Sequence, residues 1–111
     1  MQRDQLLIVE MIDSCRRIVA LVDEIEGPEG DRLHMDALLW NFTVLGEASS
    51  QVSDALKQEA RGIEWQHPIR LRNRIVHGYW SIDDQVLLSA ARTDVPDLLE
   101  RLVDLEREVR S

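Results

Sequence analysis

The run Arg72-Asn73-Arg74-Ile75-Val76-His77-Gly78-Tyr79 places a guanidinium, a carboxamide, an imidazole and a phenol within about two turns of a helix. An imidazole gives and takes protons readily near neutral pH, and a guanidinium grips phosphate through parallel N–H donors. Together they suit a device that holds a phosphodiester and moves protons around it. Cleavage of RNA by its own 2′-hydroxyl needs a base for that hydroxyl, an acid for the leaving oxygen, and positive charge for the pentacovalent phosphorus. One copy of the run covers half of this. Two copies facing each other across a two-fold axis bring two histidines and two arginines into one cleft. Within one copy, Asn73 and His77 are four residues apart, so the spacing predicts that the carboxamide bonds and orients the imidazole. Arg72 lies about 100° around from Asn73, and Arg74 points elsewhere, to solvent or a dimer rim.

The same residues admit plainer roles. His77 could cap or pack at a helix end, and Arg72 could pair on the surface. His34 and His67 read as local capping or surface residues, and Trp40, Trp65 and Trp80 as packing or interface anchors rather than platforms for bases. His34, His67 and His77 have no metal-ligand spacing, there is no cysteine cluster, and neither a glycine-rich phosphate loop nor a nucleophile elbow is present. No metal and no cofactor are expected.

A formal charge of -8 argues against a protein that coats nucleic acid nonspecifically. The stretch from Arg61 to Arg74 departs from that balance, with Arg61, Arg70, Arg72 and Arg74 against the single acid Glu64. It is the one place where an anion is welcome. The 44% apolar and 31% charged residues over 111 positions predict one globular domain spanning residues 1–111. The apolar run Leu6-Leu7-Ile8-Val9 is too short for a signal peptide, no stretch is long enough to span a membrane, and Cys15 is the only cysteine. A cytoplasmic location is expected, with Cys15 a buried small hydrophobe.

The elements that position the chemistry follow from apolar spacing. Ile8, Met11, Cys15, Ile18, Val22 and Ile25 predict a first helix over 2–25, with Asp4, Asp13, Arg17 and Glu24 off its apolar stripe. Gly27-Pro28-Glu29-Gly30 reads as the turn of an antiparallel hairpin. Asp31 is a candidate N-cap for a second helix over 31–59 carrying Leu38, Phe42, Leu45, Val52 and Leu56, in which Gly46 and Ala48-Ser49-Ser50 permit close approach of a neighbour. A third helix starts near Pro68 and ends at Gly78, a residue suited to a left-handed C-terminal turn. Asp83 or Asp84 caps a fourth, Asp94-Val95-Pro96 interrupts it, and Leu98, Leu102, Leu105 and Val109 give the final stripe. No segment alternates as a strand does. The expectation is an all-α antiparallel bundle of four to five helices, functional as a homodimer.

At these residues the sequence resembles the HEPN-domain proteins, specifically the HepT-like toxins of prokaryotic toxin–antitoxin pairs. Arg72, His77 and Tyr79 match the signature of Arg, four residues, His, any residue, Tyr, and Asn73 matches the Asn after the Arg. Supporting segments are residues 41–48, Ile63-Glu64-Trp65, residues 79–83 and Asp94-Val95-Pro96. The resemblance implies a homodimeric, metal-independent endoribonuclease whose composite cleft uses Arg72, Asn73 and His77. It also implies a minimal nucleotidyltransferase antitoxin that adds AMP to Tyr79. Glu47 resembles the family's Gly-Glu-Ala glutamate and would face the cleft and pair with Arg72. The alternative is a noncatalytic partner of the nucleotidyltransferase, whose cleft binds a nucleotide or merely supports the dimer.

Overall fold

The first turn of the chain is pinned from far away. Asp4 is buried, and its carboxylate accepts from the Ser53 amide at 2.9 Å and the Ser53 hydroxyl at 2.6 Å. Asp4 was expected off the apolar stripe; it lies inside because two donors 49 residues away replace the water it gives up. The computed structural model describes residues 2–26 and 30–110, so most of the expected hairpin turn, Gly27-Pro28-Glu29, lies outside the described residues. The helices are α1 (Gln2–Asp23), α2 (Arg32–Gln51), α3 (Asp54–Glu59), α4 (Gln66–Gly78), α5 (Asp84–Ser89) and α6 (Val95–Arg110), with no strand among the described residues. The architecture is an all-α bundle.

The hairpin of α1 and α2 packs α4 on one side and α6 on the other. Ile8, Met11, Ile18, Met35, Leu38 and Leu45 fill the interior, joined by Leu87, Leu88 and Leu102 from the last two helices. Cys15 is fully buried there, and burial pushes its thiol up to about 12. Asp31 caps α2 as expected, its side chain accepting from the His34 amide at 3.0 Å. Asn41 is also interior. It accepts from Arg17 Nε at 2.8 Å and donates to the Ala37 carbonyl, tying α2 to α1.

Three further expectations need correction. The second helix does not run to residue 59: extended backbone at Val52 and Ser53 breaks it, and Ser53 caps the separate α3 by accepting from the Leu56 amide. Gly78 is not left-handed, since its φ is -178°, and the chain continues into a 3-10 turn over Tyr79–Ser81. Asp94-Val95-Pro96 does not stop the fourth helix. Five residues, Ala90–Asp94, widen into a π-helical turn in which the Val95 amide donates to the Ala90 carbonyl, and α5 and α6 become one rod. The wider turn absorbs Pro96, which has no N–H and whose ring would meet the carbonyl four residues back in a regular helix.

Candidate active site

Gly46 decides where α4 lies. A methyl group there would sit 2.2 Å from Arg72 Cβ and 2.5 Å from the Pro68 carbonyl oxygen, so the two backbones meet closer than any other residue allows. The buried Ser49 hydroxyl donates to the Trp65 carbonyl at 2.8 Å one turn away, and fixes the entry to α4. Trp65 is buried and donates from Nε1 to the Ala60 carbonyl, which makes it the packing tryptophan of the three. Since Ser49 meets Trp65 while Gly46 meets Pro68 and Arg72, α2 and α4 run antiparallel.

Arg72 leaves this slot half-buried, with its guanidinium held from two directions. Nη2 lies 3.1 Å from Glu47 Oε2, and Nη1 donates to Asn73 Oδ1 at 3.0 Å. Glu47 thus faces Arg72, one residue beyond the glycine that admits it. Asn73 does otherwise than expected: its carboxamide accepts from Arg72, and no hydrogen bond joins it to His77 among the described residues. The neighbouring guanidinium is the stronger partner because a charged donor makes the stronger bond. His77 is exposed at the end of α4.

His77 lies five positions after Arg72, which sets them about 140° apart around the helix axis. They flank an exposed face carrying Asn73 and Val76 rather than converging on one point. Apolar groups border that face. Val76 is half exposed, Tyr79 and Trp80 stand at its end, and Trp40 projects from α2 with 67% of its surface in solvent. Tyr79 and Trp80 meet edge to face at 5.3 Å, which holds the phenol out at 58% exposure. No group of three His, Cys, Asp or Glu side chains among the described residues could hold a metal ion. No helix is long and apolar enough among the described residues to cross a membrane.

The family model described as ribonuclease HepT-like matches residues 8–105, a span that includes Glu47, Arg72, His77 and Tyr79. The chain belongs to the HepT-like ribonuclease family. It is 24% identical over 99 residues to a probable ribonuclease HepT of Thermococcus cleftensis, covering 89% of this chain and 86% of that protein. To a putative RNase of Methanocaldococcus jannaschii it is 22% identical over 93 residues, covering 82% and 85%. No solved structure matches it. Within this HepT-like frame, sequence reasoning missed the anchoring of Asp4 and the ties around His34. His34 lies 2.6 Å from both Asp31 Oδ2 and Glu24 Oε2, a contact across the hairpin that a reading of helix faces does not reveal.

Proposed function

We propose that this HepT-like protein is a metal-independent endoribonuclease, the toxin of a toxin–antitoxin pair, acting as a homodimer with one composite cleft. The observation that carries the reading is the 140° separation of Arg72 and His77 around α4. A single chain offers phosphate-gripping and proton-moving groups on opposite flanks of one exposed face. A second copy laid across that face by a two-fold axis sets each arginine against the partner's proton carrier, and the apolar border of Trp40, Val76 and Trp80 suits such burial. His77 of one copy takes the 2′-hydroxyl proton, the other copy's His77 protonates the leaving oxygen, and Arg72 stabilises the charge on phosphorus. Asn73 and Glu47 are positioning residues, since both hold the guanidinium.

Tyr79 is the modification site in this reading. Its exposed phenol oxygen attacks the α-phosphorus of ATP bound by a nucleotidyltransferase antitoxin, pyrophosphate leaves, and the phenolic proton passes to solvent or a base of that enzyme. The attached AMP then places bulk and negative charge two residues from His77, where the substrate phosphate must sit.

Purified protein should cleave RNA in the presence of EDTA and leave cyclic-phosphate or 3′-phosphate ends. Titrating wild type with the His77→Ala variant at constant total protein should lower activity as the square of the wild-type fraction. A linear fall sinks the composite site, and full activity of His77→Ala sinks the catalytic assignment. Harmless expression without the nucleotidyltransferase, together with tight complex formation, would point instead to a noncatalytic module.

A further inference from the structure

Beyond His77, α4 carries a second set of cations that the cleavage chemistry does not use. These are Arg70 and Arg74, which share with Asn73 and His77, at intervals of three and four, one solvent-facing strip about 10 Å long. Arg70 lies only about 20° around the axis from His77, and both lie on the flank opposite Arg72. Arg74 therefore belongs to the His77 side of the helix. Among the described residues neither Arg70 nor Arg74 has an ion-pair partner, whereas Arg32, Arg72, Arg101, Arg107 and Arg110 each face a carboxylate within 4 Å. Arg70 and Arg74 thus present two exposed guanidiniums one turn apart, neither offset by a carboxylate among the described residues.

They also border a space. Between α4 and the rod of α5 and α6 runs a groove of about 630 Å³, with Arg70 and Arg74 on one wall and Gln85 and Ser89 on the other. Its single acid, Asp94, already faces His67 Nε2 at 3.7 Å, so the groove is cationic on balance.

We infer that Arg70 and Arg74 hold the RNA phosphates adjacent to the one His77 acts on, and that the strand leaves the cleft along the groove between α4 and α5. This rests on the ribonuclease reading and adds to it the path of the substrate. The two guanidiniums are separated along the axis by about 6 Å, comparable to one nucleotide step of an extended strand. Arginine forks and the polar wall opposite suit phosphate and ribose contacts, which fix register without reading sequence.

The test is the Arg70→Gln/Arg74→Gln protein, which keeps two long polar stems and removes both charges, with Arg107→Gln as the remote control. Its far-ultraviolet circular dichroism and melting point should match wild type. A single-stranded RNA ten nucleotides long should bind about tenfold more weakly, and the log–log dependence of affinity on salt should flatten by about 1.4 for two lost single-strand contacts. Cleavage of a dinucleoside monophosphate, which has no flanking phosphate, should keep its wild-type rate.

Unchanged RNA affinity and salt slope in a double variant that still cleaves RNA overturns the inference while leaving the ribonuclease reading intact. An equal loss on the dinucleotide also overturns it, because the arginines would then act at the reacting phosphate. Wild-type protein that neither binds nor cleaves RNA removes both. Loss of complex formation with the nucleotidyltransferase, with RNA binding unaltered, assigns the groove to a protein partner instead.

Discussion

Replacing Gly46 with alanine sets two effects of opposite sign against each other. In a helix interior alanine is favoured over glycine by about 1 kcal/mol, so helix propensity alone predicts a more stable protein. The added methyl, however, would lie 2.2 Å from Arg72 Cβ and 2.5 Å from the Pro68 carbonyl oxygen. Neither neighbour is the free end of a flexible side chain, so no rotamer change relieves the overlap. Helices α2 and α4 must part by about 1 Å, and overpacking of this kind costs about 1–3 kcal/mol. The rigid neighbours put it at the upper end, leaving a net loss of about 2 kcal/mol after the gain in propensity. For a domain of this size that is a drop of about 8 °C in Tm, readable by calorimetry or circular dichroism. The same displacement moves Arg72 relative to Glu47, and misplacement on the scale of 1 Å can reduce turnover a hundredfold. A Gly46→Ala protein with equal or higher Tm and wild-type RNA cleavage would refute the claim that this glycine sets the position of Arg72.

Asp4→Ala should lower stability by about 2–3 kcal/mol, because it strands the Ser53 amide and hydroxyl in a partly buried joint, and urea unfolding followed by helical signal will show it. The His34 cluster predicts a pH signature. Hydrogen bonds to Glu24 and then Asp31 raise the His34 pKa above 6.5, so its contribution is complete below 6.5 and disappears as pH rises through the raised value. Asp31, lowered by bonds from the His34 amide and ring, contributes above 3.8 and loses that contribution as pH falls through its lowered value. The Tm difference between wild type and His34→Gln should therefore be largest near pH 5–6 and close at alkaline pH; a difference that grows with pH would be inconsistent with it. Trp40→Asp should give monomers by sedimentation at concentrations where the wild type is dimeric, with RNA cleavage falling in parallel, and an active monomer would contradict the shared cleft.

Helix identity was legible because the apolar spacing around Cys15 and Leu45 reports directly on burial. The cap at Asp31 and the close approach at Gly46 were legible for the same reason: each residue type fits few backbone situations. The break at Val52 was hidden because Leu56 continues the apolar stripe across it, so periodicity sees one helix where Ser53 caps a second. The π-helical turn was hidden behind Pro96, whose usual meaning is a helix start. At the site, the placement of Arg72 and His77 on one helix was visible from spacing, but the partner Asn73 takes was not. Both partners are in reach from a helix face, and the course of the Arg72 side chain out of its slot against Gly46 brings the stronger, charged donor to the carboxamide.

The Asp4 contact with Ser53 joins residues 49 positions apart, and it bears on the order in which the molecule assembles. The α1–α2 hairpin can form early from nearby sequence, whereas closing so long a loop for one carboxylate is worthwhile only after the surrounding helices have docked. The first turn of α1 and the short α3 should therefore close last and reopen first. Amide hydrogens of α3 should exchange through this local opening well ahead of those in the α1–α2 interior, giving the bundle one soft corner that can breathe while the face bearing Arg72 and His77 stays folded.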